Sequence, residues 1–136
     1  MSDFVDLSNF DPDAIPEGEI IEDGSEVLIR VTRISKAEDK NGTPYLMPWY
    51  EDPENVNVED FSDYLPLPTN EDTEKEKGRK LRNLKSFAEC FDIPLFNGEF
   101  NLEDAKGKTG WMIVGLGKNK EGKVNNRPKK YLANHA

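Results

Sequence analysis

Residues 26–50, EVLIRVTRISKAEDKNGTPYLMPWY, constrain the fold more than any other stretch. Val27, Ile29 and Val31 fall on one side and Arg30 and Thr32 on the other, the two-residue period of a long, half-buried strand. Asn41-Gly42 is a strong short hairpin signal, and Tyr45 to Tyr50 return as a second strand. Pro48 brings no ladder donor and demands an edge position or a bulge. One face of this strand must be buried, either the 45/47/49 set or the 46/48/50 set. Pro48 in the second set favours the first as the one that packs or binds.

Residues 51–76 read as an acidic connection. Within it, VNVEDFSDYLPLP forms a third strand that ends at Pro66 or Pro68. Leu81, Leu84, Ala88 and Phe91, widened by Phe87, recur at helical spacing over residues 79–91. Gly78 costs about 1 kcal/mol inside a helix, although Thr69 or Asn70 could cap an earlier start; Pro94 ends the helix. NLEDAKGK is a short turn or helical connector. GWMIVGL then makes a fourth strand, KNKEGK a polar turn at Gly122, and VNNRPKKYL a fifth. Trp111, in the most apolar strand, is expected in the core, as is Cys90 on the helix. The expected fold is mostly β: a five-stranded OB-fold Greek-key barrel with one helix between strands 3 and 4.

A chain of 136 residues fits one domain. The expected division is an acidic, flexible arm at 1–23, an OB-fold domain at 24–133 and a tail at 134–136. One cysteine excludes an intrachain disulfide, and the one histidine, His135, leaves no Cys/His zinc site. No apolar run approaches the roughly 20 residues of a membrane span. Residues 1–19 carry no base and no apolar h-region, so a soluble cytoplasmic protein without membrane partners is expected.

The net charge of −9 is local. Residues 1–26 hold nine acids and no base, leaving eighteen acids to face all eighteen bases in the body. Residues 105–136 hold eight bases and one acid, Glu121, so a basic surface coexists with an acidic whole.

Catalytic patterns are weak. His135 is a poor place to hold a base rigidly, and the many carboxylates lie in loops. GLGKNKEGK lacks the phosphate-loop spacing and sits in a hairpin. The chain is expected not to be an enzyme, and no metal or cofactor is expected. What remains is aromatic residues interleaved with bases. Arg33, Lys36 and Lys40 lead into the first turn. Tyr45, Met47 and Trp49 share one face of the second strand. Lys118, Lys120 and Lys123 precede the last strand, on which Arg127, Lys129 and Tyr131 share a face. In an OB-fold the 1–2 loop, the 4–5 loop and the face of strands 2 and 3 form the nucleic-acid groove. Single-stranded nucleic acid suits such a surface, since lysines track phosphates and stacked bases add about 1–3 kcal/mol each. The plainer account is that the lysines at 118–130 keep an edge hairpin soluble.

VTRISKAEDKNGTPYL, LRNLKSFAECFDIP and GKTGWMIVGLGKNKEGKVNNRPKKYL together resemble the small OB-fold single-stranded-DNA-binding proteins of tailed bacteriophages, over roughly residues 24–132. The resemblance implies a protein that coats single-stranded DNA in phage replication or recombination, in the host cytoplasm, with little sequence specificity. It points to Lys36, Lys40, Tyr45, Lys118, Lys123, Arg127 and Lys129. Many such proteins end in an acidic tail that recruits replication partners; here the acidic segment is N-terminal. The expectation is that residues 1–26 take that part, competing with DNA for the basic groove or docking replication or recombination proteins. A monomer or weak homodimer is expected. The competing account is an OB-like protein-interaction adaptor, or a DNA-mimic inhibitor, acting through the acidic arm.

Overall fold

The computed structural model describes residues 4–9, 11, 18–98 and 100–133. The rest of the expected arm and the 134–136 tail lie outside the described residues. The elements are β1 (Ser25–Glu38), β2 (Pro44–Glu51), β3 (Phe61–Ser62), β4 (Leu65–Pro66), α1 (Glu74–Phe91), a 3-10 turn (Leu102–Ala105), β5 (Thr109–Lys118) and β6 (Val124–Leu132).

They build an open, antiparallel, six-stranded sheet in the order β3-β2-β1-β5-β6, with β4 also paired to β2. The expected third strand is thus two short ones, because Asp63 and Tyr64 interrupt the pairing with β2. The sheet is not a closed backbone barrel, for β3 and β6 stand at its two ends. The long β1 serves two neighbours in succession: residues 25–30 pair with β5 and residues 30–38 with β2.

A bulge at Thr32 marks that exchange, since Val31 pairs with Tyr50 while Arg33 already pairs with Trp49. The bulge inverts the alternation of β1. Ile29 and Val31 point into the core before it; after it, Ile34 pairs with buried Pro48 and Arg33 faces out. On β2 the buried set is therefore Leu46, Pro48 and Tyr50, and the 45/47/49 set lies on the outer face. Pro48 fits a buried position because its missing N–H coincides with the irregular part of the ladder.

The helix starts earlier than residue 79. Thr73, rather than Thr69 or Asn70, caps it by accepting from the Glu76 N–H at 3.2 Å. Gly78 is accommodated within it, and Asp92 in the left-handed region (φ 53°) closes it ahead of Pro94. Leu84, Phe87, Ala88 and Phe91 bury against the sheet, whereas Leu81 stays 41% exposed. The core joins these to Ile29, Val31, Leu46, Tyr50, Phe61, Met112 and Val114.

Trp111 departs from expectation. Its neighbours Gly110 and Met112 are buried, and it lies half-buried on the opposite face, between Leu28 and Leu132 of adjacent strands. Cys90 is partly buried against the core, its Sγ donating to the Trp111 carbonyl at 3.1 Å. Burial raises its thiol to about 11, so it stays protonated at neutral pH.

Part of the expected arm is docked. Asn126, buried at 4% exposure, clamps Ile21: its Oδ1 accepts from the Ile21 N–H at 2.8 Å and its Nδ2 donates to the Ile21 carbonyl at 2.9 Å. Glu19 forms an isolated bridge to Val58. The chain thus joins the body from Glu19 onward.

Asn126→Ala would strand two backbone groups of Ile21 and the Nδ2 bond to Gly115. A loss of about 2–4 kcal/mol is expected in urea denaturation. A change within about 0.5 kcal/mol would mean the clamp carries no stability.

Candidate nucleic-acid interface

Two turns of the same design flank one face of the molecule. In Asp39–Thr43, the Asp39 carboxylate accepts from the N–H groups of Asn41 and Thr43 at 2.8 and 3.0 Å, with Gly42 at φ 80°. In Asn119–Lys123, the Asn119 side-chain oxygen Oδ1 accepts from the N–H groups of Glu121 and Lys123 at 2.9 Å each, with Gly122 at φ 81°. A short side-chain acceptor opens each turn and glycine supplies the positive φ. Each places a lysine, Lys40 or Lys120, second in the turn, where it is exposed.

Between the turns runs a groove of about 630 Å³ lined by Asp39, Tyr45, Met47, Ser62, Asp63, Tyr64, Lys120, Asn125 and Arg127. Tyr45 and Met47 come from the outer face of β2. Asn125 and Arg127 come from β6, opposite Gly117 and Gly115. Those glycines matter: a Cβ at Gly117 would fall onto the Arg127 guanidinium, which crosses β5 and donates to the Lys118 carbonyl at 3.0 Å. Tyr64 leans on Tyr45, ring centroids 4.6 Å apart at 47°, and its hydroxyl donates to Asp39 at 2.9 Å. The face continues along β2 to Trp49, whose ring carries the Arg33 guanidinium at 4.8 Å, a cation–π contact.

The expected site residues divide accordingly. Tyr45, Lys120 and Arg127 line the groove, and Trp49 with Arg33 extends it. Lys40 is on the flanking turn. Lys129 lies beyond Tyr64, on an adjoining recess it shares with Lys130 and Asp63. Lys36 pairs opposite Leu46 and Lys118 opposite Val124, so both leave their strands on the face away from Tyr45 and Arg127. Lys123 is held by Glu59 at 3.2 Å.

Tyr131 does not share a face with Arg127. Pro128 pairs with Val114 but Lys130 with Ile113, so Lys129 is a bulge that flips the alternation. Tyr131 turns inward onto Phe87 and Phe91 at 5.8 and 6.1 Å, edge-on to both.

Tyr64, Ser62 and Asn125 are groove residues the strand pattern does not single out. Tyr64 sits in the interruption between two strands too short to show a period. The Asn125 side-chain oxygen is buried without a hydrogen-bond partner among the described residues. Two carboxylates, Asp39 and Asp63, also reach the groove. Bonds from Thr43 and Tyr64 hold Asp39 below the usual carboxylate range. Burial pushes Asp63 above it, although Tyr131 donates to its Oδ2 at 2.6 Å.

No helix among the described residues is long and apolar enough to cross a membrane. No family model matches the chain, and no curated protein is significantly similar to it.

Because the folded pKa of Asp63 lies above the ordinary 3.8, the folded chain holds this proton more tightly than the unfolded one. Its contribution to stability is therefore present below 3.8 and is lost as pH rises through the raised value. Asp63→Asn removes that term. Its stability relative to the parent chain should climb from pH 3.5 towards pH 7 in urea midpoints, whatever the absolute offset; a relative fall would reverse the assignment.

Proposed function

We propose that the chain is an OB-fold single-stranded-DNA-binding protein that coats ssDNA in phage replication or recombination, without catalysis. One observation carries the reading: three separated segments, the β1–β2 turn, the β2–β3 face and the β5–β6 turn, converge on one groove with two tyrosines, a lysine and an arginine. These are the segments that form the nucleic-acid groove of OB-folds. The strand order agrees with a barrel whose last gap, between β3 and β6, is bridged by side chains instead of a ladder. Tyr45, Tyr64 and Trp49 offer stacking surfaces, while Arg33, Lys40, Lys120, Arg127 and Lys129 supply phosphate contacts. The acidic segment, joining the body beside Glu59 and Lys123, is tethered close to the basic turn and competes with DNA there.

The test is a titration with oligo(dT) followed by anisotropy of labelled DNA and intrinsic tryptophan fluorescence, with a duplex of equal length as control. Binding to the single strand should weaken linearly in log[salt], and Arg127→Ala should reduce that slope by about 1. Tyr45→Ala should cost about 1–3 kcal/mol of affinity. Deleting residues 1–17 should tighten binding at low salt and leave it unchanged at high salt. Absence of single-strand binding, together with capture of a basic peptide, would favour the adaptor acting through the acidic segment.

A further inference from the structure

The Tyr45–Arg127 groove does not end at Tyr64. A smaller recess of about 350 Å³ begins there, and Asp63 and Tyr64 line both. The recess lies on the seam where β3 and β6 share no backbone ladder, with α1 as its third wall. Asn83 and Ser86 line it from the helix. Each directly precedes a buried residue, Leu84 or Phe87, so the two lie three apart at one edge of the buried face and remain exposed. Lys129 and Lys130 line it from β6. In a regular strand two consecutive side chains point to opposite faces; the bulge at Lys129 lets both reach one recess.

We propose that this recess is a second contact site for single-stranded DNA, taking backbone phosphates of the strand as it leaves the groove past Tyr64. Resting on the reading of the groove as a DNA site, this second contact lengthens the path of the strand along the protein.

Charge favours an anion here. Neither Lys129 nor Lys130 is ion-paired among the described residues. Asp63 is the one acid among the described residues lining the recess, and both of its oxygens are engaged. The Tyr131 hydroxyl donates to Oδ2 at 2.6 Å and the Tyr64 N–H to Oδ1 at 2.8 Å. Two cations are thus left to an incoming group, whereas the acid is satisfied from within. The remaining chemistry favours phosphate over base. The Asn83 amide and the Ser86 hydroxyl are donors of the kind that contact phosphate oxygens. Tyr131 keeps its ring edge-on to Phe87 and Phe91, so the recess beyond Tyr64 offers no free face on which a base would stack.

Anisotropy titrations of the full chain with oligo(dT) of rising length, across the roughly 4–16 nucleotides that an OB-fold covers, test this. Lys130→Ala should bind the shortest competent oligomer as the parent does. It should bind longer ones about three- to tenfold more weakly, with a salt slope lower by about 0.7, one phosphate contact of a single strand. Ser86→Glu, at an exposed position and checked for folding by circular dichroism, should remove the same gain with length. Lys85→Ala deletes the same charge from another part of α1, where Lys85 lines a separate groove with Leu81 and Phe96, and should match the parent at every length. Equal losses in Lys130→Ala at all lengths, or equal losses in Lys130→Ala and Lys85→Ala, would overturn the proposal, since the lysine would then act only through the general field. So would a gain with length indifferent to Lys130→Ala and Ser86→Glu; the groove reading would then stand without the recess. A parent chain that binds no single strand at any length would overturn both.

Discussion

The architecture depends on a chain of three side chains: Tyr50 of β2, Tyr131 of β6 and Asp63 between β3 and β4. The Tyr131 hydroxyl donates to Asp63 at 2.6 Å, so the 2.7 Å contact between the two phenols has Tyr50 as its donor. Burial pushes both phenols well above their ordinary range, which keeps them neutral donors. This link ties the two ends of an open sheet that share no backbone ladder. Tyr50 stacks on Phe91 at 5.5 Å and Tyr131 meets Phe87 and Phe91 edge-on, so the same link seats the helix. Asp63 in turn donates its own position to the groove: with it fixed, Tyr64 is aimed at Tyr45 and Asp39. Two donors, the Tyr131 hydroxyl on Oδ2 and the Tyr64 N–H on Oδ1 at 2.8 Å, offset part of the cost of burying this carboxylate.

Two bulges then decide what each face displays. Thr32 turns Arg33 outward beside Trp49, and Lys129 turns Tyr131 inward while leaving Arg127 outside. A single extra residue in each strand thus separates the stacking and cationic groups from the core aromatics. The paired Asx turns complete the frame, holding Lys40 and Lys120 at the two margins of the groove.

Much of this was legible in residue order. The NG turn, the long β1, the helical stripe and the basic β5–β6 hairpin follow from period and turn chemistry, which are local. The face of β2 was not decidable from alternation alone, because both sets carry an aromatic residue; burial of Tyr50 by α1 settles it. Tyr131 was misplaced because a bulge changes the period without altering composition. Trp111 was misplaced because apolar β5 has a hydrophobic residue on both faces, and local sequence does not say which one the helix covers. Tyr64 and Asn125 were invisible for another reason: they matter through the distant segments they meet, and no short-range signal reports that meeting.

The measurement that bears most directly on the account is a map of amide and side-chain resonances of the labelled protein with and without a short oligo(dT). The account predicts that shifts concentrate on Tyr45, Met47, Tyr64, Lys120, Asn125 and Arg127 and fade as salt rises. It also predicts that Leu81 and Phe96, which line a separate groove between α1 and residues 92–97, stay unmoved. Shifts centred on the α1 groove, or none beyond the basic turn lysines, would contradict it.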